Sequence, residues 1–166
     1  NQNNLRYLKN NKYILISDIT PLNDIDFFTA GEMYENYRTK YIKIFIEDIL
    51  SCLNNKNYSK IKVILKTKKT RIIDNKDYLD FIKKQKKLIT YEKNISIKEL
   101  IEDSLLVISY PFTTIGYLAG KIGKKSVYYD PTASISDSHN SLYGLKLLKN
   151  RDQLKSYLER NLFDKK

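Results

Sequence analysis

The sequence predicts an α/β fold, a doubly wound parallel sheet of five or six strands with helices on both faces. Short apolar runs rich in β-branched residues recur along the chain, amphipathic stretches of helical length follow them, and polar turns separate the units. The first strand lies in KYILISDI, with its apolar run at Tyr13–Ile16. A helix follows over Tyr41 to Leu53: Tyr41, Ile42, Phe45, Ile46, Ile49, Leu50 and Leu53 step along one face in threes and fours, while Lys43, Glu47, Asp48 and Ser51 fall off it. A turn at Asn54 to Ser59 leads to the second strand at Ile61–Leu65, then to the helix KDYLDFIKKQ, the third strand KLITYE, a turn at Asn94 to Ser96 and the helix SIKELIEDS. The fourth strand, Leu105–Ile108, precedes the helix TTIGYLAGKIG, which Gly123-Lys124-Lys125 stops ahead of the fifth strand, SVYYD. After Asp130 comes PTASISDSHNSLYG, a polar loop of a length that is usually functional or mobile, and RDQLKSYLERNLF closes the chain as a helix. Right-handed crossovers turn this order into a Rossmann-like sheet, whose ligands sit at the carboxyl ends of the strands.

The chain has 166 residues, 42% hydrophobic and 30% charged, with 5 Gly and 3 Pro, which suits one globular domain and excludes a disordered one. Residues 1–11 are polar and aperiodic and read as a linker or boundary, and residues 12–166 as the domain. Asn1 stands where a start residue would, so the expectation is a piece of a longer protein. No apolar run approaches the ~20 residues that cross a bilayer and no signal-peptide pattern is present, which predicts a cytoplasmic location. Cys52, among Ile49, Leu50 and Leu53, reads as a small buried hydrophobe. Lys plus Arg number 30 against 19 Asp plus Glu, a net charge of +11. On charge alone, nucleic acid, an anionic membrane surface and nucleotide phosphate are all admissible partners, so a peripheral contact with the inner membrane stays open. The excess is nearly all Lys beside abundant Asn and Ile, a pattern that AT-rich codon usage produces without any ligand.

The first strand runs into Asp18-Ile19-Thr20-Pro21 with no glycine, which argues against a dinucleotide site. A Walker P-loop, a GxSxG elbow, a HExxH pair and a Cys/His metal cluster are also missing from the sequence. The informative segment is Ser109-Tyr110-Pro111-Phe112-Thr113-Thr114-Ile115-Gly116-Tyr117-Leu118-Ala119-Gly120. Pro111 stops a strand, and a Thr pair then opens a helix, setting two hydroxyls beside unpaired N–H groups at the positive end of a helix dipole. That is a phosphate site in outline. Gly116 would let a ligand or a strand approach the backbone closely. The competing reading makes Thr113 a helix cap and Gly116 and Gly120 packing residues.

Pro111-Phe112-Thr113-Thr114, with Tyr117-Leu118-Ala119 and the run from Gly123 to Pro131, resembles the bacterial polysaccharide-biosynthesis proteins named for a Pro-Phe-Thr-Ser motif. The resemblance spans Lys12 to Asp130, is strongest from Ser109 to Pro131, and puts Thr114 where the family name has Ser. More distantly, the layout is similar to the C-terminal half of GT-B glycosyltransferases, which holds the nucleotide sugar while the N-terminal half holds the acceptor. The sialic acid and Kdo transferases of that fold place a hydroxyl pair at this helix start, against the phosphate of a CMP-sugar. They also tend to carry His-Pro after the second strand, where Lys66-Thr67-Lys68-Lys69 stands here.

The resemblance implies the donor-binding half of a glycosyltransferase of surface polysaccharide (capsule or O-antigen) biosynthesis, with a CMP-sugar favoured as donor and the glycan acceptor reached through a missing N-terminal domain. This piece alone is expected to be inactive. No cofactor, metal or nucleic acid is implied. Nucleotide-sugar contacts fall to Lys66, Lys68, Arg71, Thr113, Thr114, Gly116, Asp130 and His139. The lysines, Lys69 included, and Arg71 follow the second strand, where cations suit phosphate oxygens, although each single lysine also reads as solvated surface. Asp130 and His139 could bond a ribose, phosphate or sugar, and a lone loop His also reads as merely solvated. Glu92 lies where related folds bind the base and also reads as an exposed loop carboxylate, and Lys83, Lys84, Lys86 and Lys87 read as surface charge. The catalytic residues stay unknown; Asp18 is a candidate general base or sugar contact and also reads as a turn former before Thr20-Pro21. The alternative function is a non-catalytic module that binds nucleic acid or a regulatory nucleotide. Although 14 Tyr and 6 Phe are present, no RNP-like alternation of basic and aromatic residues supports it.

Overall fold

The computed structural model describes residues 12–19, 21, 38–66, 75–91 and 96–163. Along the chain come β1 (Tyr13–Ser17), α1 (Thr39–Cys52), β2 (Lys62–Lys66), α2 (Lys76–Lys84), β3 (Leu88–Tyr91), α3 (Ile97–Asp103), β4 (Leu106–Ser109), α4 (Thr114–Lys121), β5 (Ser126–Tyr129), β6 (Lys146–Leu148) and α5 (Arg151–Phe163). Single 3-10 turns lie at Lys56–Tyr58 and Asn140–Leu142. The sheet has six strands in the order β3-β2-β1-β4-β5-β6, and every neighbouring pair is parallel. It is an α/β, Rossmann-like doubly wound sheet.

All five residues of β1 are buried, because helices cover the sheet on both faces. Period-two alternation divides the strand residues between two cores. Ile14, Ile16, Val63, Leu65, Leu106, Ile108, Val127 and Tyr129 join α1, α2 and α5 in one core, through Ile42, Phe45, Ile46, Ile49, Tyr78, Ile82, Leu154 and Leu158. Tyr13, Leu15, Ile64 and Val107 meet α3 and α4 on the other face, through Leu100, Ile101 and Ala119. The Tyr13 hydroxyl donates to the Leu100 carbonyl at 2.8 Å, which ties α3 beneath β1. At the carboxyl ends, the Phe45 ring of α1 lies edge-on to Tyr110 at 5.3 Å and stacks near Tyr129 at 6.0 Å. The Tyr129 hydroxyl donates to Asp48, so α1 braces the ends of β4 and β5 where a ligand site would lie.

The turn that ends α4 forms as the glycine foretells. Gly123 takes φ 76°, its N–H donates to Gly120 O, and the N–H of Lys124 donates to Ala119 O, the two bonds of a Schellman stop. β6 is the sixth strand, in a stretch between the polar loop and the last helix to which the sequence assigns no element: Lys146-Leu147-Leu148 pairs with β5 in parallel. Three residues next to Gly144 carry no periodicity of their own, and the strand exists because β5 offers a free edge. Cys52 is half-buried against the α1 core. Lys83 and Lys84 are exposed at the end of α2, whereas Lys87 reaches from the following turn to donate to Leu53 O at 2.6 Å.

A Cβ on Gly116 would stand 2.7 Å from Tyr128 Cε1 and 3.0 Å from both Cβ and Oγ of Ser109. The glycine therefore seats the first turn of α4 directly on β4 and β5. Gly116→Ala is expected to destabilise the protein by about 1–3 kcal/mol, the range of an overpacked core, and equilibrium urea unfolding will measure it. Unchanged stability would mean that α4 can lift from the sheet.

Candidate functional site

The strand order makes β1 and β4 the place where the chain leaves the sheet toward opposite faces, with α1 on one and α4 on the other. Connections diverge at such a switch point and leave a crevice at the carboxyl ends of the strands. Ser17 is paired with Ser109, and the Tyr110 N–H donates to Ser17 O at 2.7 Å, so the two strand ends are locked together up to the rim.

Beyond Ser109 the chain reverses at once. The N–H of Thr113 returns to Tyr110 O at 3.3 Å, Pro111 supplies the second position of the turn, and Phe112 occupies the third with φ 65°. That position favours glycine, and a bulky residue there costs on the order of 1–3 kcal/mol. Phe112 is retained by its ring: it lies 4.5 Å from the His139 ring and packs beside Tyr128, Ile135, Leu142 and Leu147. The reversal brings Thr113 to the start of α4.

Thr113 has the extended backbone of a helix N-cap, φ −75° and ψ 137°, yet its hydroxyl makes no cap bond. It is 9% exposed, and among the described residues its Oγ1 has no hydrogen-bond partner. The capping explanation of this Thr thus fails on geometry, and an uncommitted hydroxyl stands beside the unpaired amides of the first helical turn. Thr114, the first residue of α4, is exposed.

The other sequence candidates divide. Gly116 faces the sheet and serves packing. Asp130 is fully buried and already engaged: it accepts from Thr132 N at 2.9 Å, Thr132 Oγ1 at 2.5 Å and Ile135 N at 3.0 Å, which organises the loop after β5. His139 is exposed, accepts from Ser141 N through Nδ1 at 3.2 Å, and stacks on Phe112, so it flanks the Pro-Phe-Thr-Thr turn. Lys66 is half-buried at the end of β2, opposite Ser17 in the register. Lys68, Lys69, Arg71 and Glu92 lie outside the described residues. Among the described residues no three His, Cys, Asp or Glu side chains gather to hold a metal ion.

Asp18 follows β1 and is 3% exposed. Its Oδ2 accepts from the Tyr78 hydroxyl, while Oδ1 has no hydrogen-bond partner among the described residues. Burial pushes the Asp18 carboxyl up to about 7, against a lowering by the Tyr78 hydrogen bond. Burial, and next the charge of Asp18, also push the Tyr78 hydroxyl above the usual phenol range. Asn75 caps α2 by accepting from Tyr78 N at 2.9 Å and donates to Thr39 Oγ1 at 2.7 Å, so the starts of α1 and α2 are clamped around this acid. Sequence reasoning singled out neither Tyr78 nor Asn75. The signal for Asn75 was a capping residue before the helix KDYLDFIKKQ, whereas nothing local pairs Tyr78 with a residue sixty positions earlier.

The family model described as "Polysaccharide biosynthesis PFTS motif protein" matches residues 2–158. The chain belongs to that family. Its motif is the Pro111-Phe112-Thr113-Thr114 turn at the switch point. No curated protein matches the sequence. Among solved structures, the UDP-GlcNAc 2-epimerase of Methanocaldococcus jannaschii, in complex with UDP-GlcNAc and UDP, superposes with TM-score 0.55 at 12% identity, over 99% of this chain and 43% of that one. An E. coli structure described as "Trehalose-6-phosphate", bound with UDP-2-fluoro glucose, gives 0.55 at 15% identity, over 98% and 39%. A Listeria monocytogenes protein provisionally assigned as a UDP-N-acetylglucosamine 2-epimerase gives 0.54 at 13%, over 97% and 39%. The likeness is one of fold, that of GT-B glycosyltransferase and epimerase types, and this chain spans only about two fifths of those chains.

The raised Asp18 has a thermodynamic consequence. Between its ordinary value of 3.8 and about 7, the folded protein keeps a proton that the unfolded chain has released, so the contribution of Asp18 to stability is lost as pH rises through that window. Relative to Asp18→Asn, which does not titrate, the parent should lose on the order of a few kcal/mol between about pH 4 and pH 8 in urea unfolding. A difference between the two proteins that stays flat over that range would show an ordinary Asp.

Proposed function

We propose that this chain is the donor-binding unit of a glycosyltransferase in bacterial surface polysaccharide biosynthesis, residues 12–166 forming a nucleotide-sugar-binding domain. The observation that carries the reading is the Thr113 hydroxyl: nine-tenths buried, without a partner, and set at the start of α4 on the switch-point rim. Family membership supports the polysaccharide setting, and the fold likeness to structures holding UDP-sugars supports the ligand class. A CMP-sugar is the donor suggested by the hydroxyl pair, and a UDP-sugar is the donor suggested by the structural relatives. The acceptor would be held by a further domain facing this rim.

In this reading the first amides of α4 and the hydroxyls of Thr113 and Thr114 hold the donor phosphate, and they become more favourable as the sugar departs and negative charge gathers on the nucleotide. Phe112 fixes the angle at which the helix meets the ligand. Lys66, and Lys68 and Arg71 beyond β2, would add positive charge on the neighbouring strand end. This chain supplies electrostatic stabilisation of the leaving group, and the base that activates the acceptor comes from the acceptor side.

Thermal shift against CMP, UDP, GDP and ADP will find the nucleotide, and the Thr pair is tested on the best of them. Thr113→Val keeps the shape, deletes a buried hydroxyl with no partner, and is expected to leave the unfolding temperature equal or higher. Its nucleotide affinity should fall roughly 10- to 150-fold, the equivalent of one hydrogen bond to a charged phosphate, and Thr114→Val should act in the same direction. A Thr113→Val protein that binds as tightly as the parent but melts lower would make the pair structural.

A further inference from the structure

Asp18 combines features that a structural aspartate lacks. One carboxyl oxygen is fixed by Tyr78, whose own backbone is held by Asn75 and, through it, by Thr39. The other oxygen is buried, without a partner among the described residues, at the carboxyl end of β1, one residue past the Ser17–Ser109 pair and beside the strand that leads into the Thr113 turn. Leaving such an oxygen unsatisfied costs about 1–3 kcal/mol, and the clamp on Oδ2 prevents the side chain from turning away to satisfy it. Asp130 shows the contrast: equally buried, it has both oxygens taken up by its own loop. Tyr78 of α2 is the titratable group in contact with Asp18, while Lys66 closes β2 opposite Ser17 and Arg38 precedes α1. Burial drives the Asp18 carboxyl toward the neutral form, against lowering by the Tyr78 hydrogen bond and by the backbone N–H of Asp18 itself.

We propose that Asp18 is a ligand-contacting residue of this site, donating a hydrogen bond from a neutral carboxylic acid, through Oδ1, to a phosphate oxygen of the nucleotide. The inference rests on the donor-site reading of Thr113 and Thr114. A phosphate held at the start of α4 would be repelled by an ionised carboxylate on the adjacent strand end. The neutral acid removes that repulsion and adds a donor.

The test measures calorimetric affinity of the 166-residue chain, as parent, Asp18→Asn and Asp18→Ala, for whichever of CMP, UDP, GDP and ADP binds best. Asn keeps the shape, accepts from Tyr78 and donates through Nδ2 at every pH, and it also corrects for the titration of the nucleotide itself. The parent and Asp18→Asn should bind alike at about pH 6, with the parent falling roughly tenfold behind at about pH 8.5, and Asp18→Ala should be roughly tenfold weaker than the parent at about pH 6. Weak binding by Asp18→Asn at the lower pH would overturn the proposal in favour of an ionised acceptor. Equal affinity of all three proteins at both pH values would overturn it in favour of a structural acid, and if Thr113→Val still loses affinity then the donor site stands without Asp18. Failure of the parent to bind any of the four nucleotides removes the donor-site reading and this inference together.

Discussion

Phe112 must hold a left-handed backbone, φ 65°, for β4 to become α4 within the span of one turn, and the candidate site is organised around that constraint. The strain persists because the ring is anchored from outside, by His139 and by the small core of Tyr128, Ile135, Leu142 and Leu147. Tyr128 belongs to β5, and the loop after β5 and the short strand β6 supply the other anchors. Asp130 gathers the loop by accepting from Thr132 and Ile135, and its N–H donates to Leu148 O at 2.8 Å, joining the loop to β6. A polar stretch distant in sequence thus determines how the motif helix meets the rim.

The buried polar groups at the rim fall into two kinds. Asp130, Tyr129 and the Tyr128 hydroxyl, which donates to Thr113 O at 3.1 Å, have their partners inside the protein and hold elements together. Among the described residues Asp18 Oδ1 and Thr113 Oγ1 have none, the first just past the end of β1 and the second at the start of α4, on the two sides of the switch point. Most buried polar atoms in folded proteins are satisfied, and the proposed donor site rests on these two orphans at the carboxyl edge of the sheet. Ser109 Oγ is also unpartnered, but it lies fully buried beneath Gly116 and belongs to the packing of α4.

The same rim explains why Gly116 and Asp130, which sequence alone offers as ligand contacts, carry structural work here. Gly116 is required because Tyr128 and Ser109 occupy the space of a side chain, and a glycine one turn into a helix looks alike in sequence whether strand or ligand approaches it. Asp130 ends a strand on the ligand side, yet the residues two and five positions later capture its oxygens. Thr113 differs from both. The sequence offers it as a phosphate ligand and, in competition, as a helix cap, and in three dimensions its hydroxyl makes no cap bond.

What the sequence by itself determined is the layered architecture, since each element records its burial in its own residues. The central residues of β1, β2 and β4 are apolar because both faces are covered, the face of α1 and its cap from Ile42 to Leu53 is periodic because one side meets the sheet, and Gly123 marks the end of α4 because the next turn needs positive φ. The motif and the start of α4 were legible too, because Pro111 and the Thr pair act on neighbouring backbone. Tertiary structure alone decided β6, whose three residues pair only because β5 leaves an edge open. It also decided the Asp18–Tyr78 contact between β1 and α2, and the His139–Phe112 stack that retains a strained turn. Those contacts join residues far apart in the chain, and the spacing that local periodicity records holds no trace of which distant side chains the folded sheet brings together.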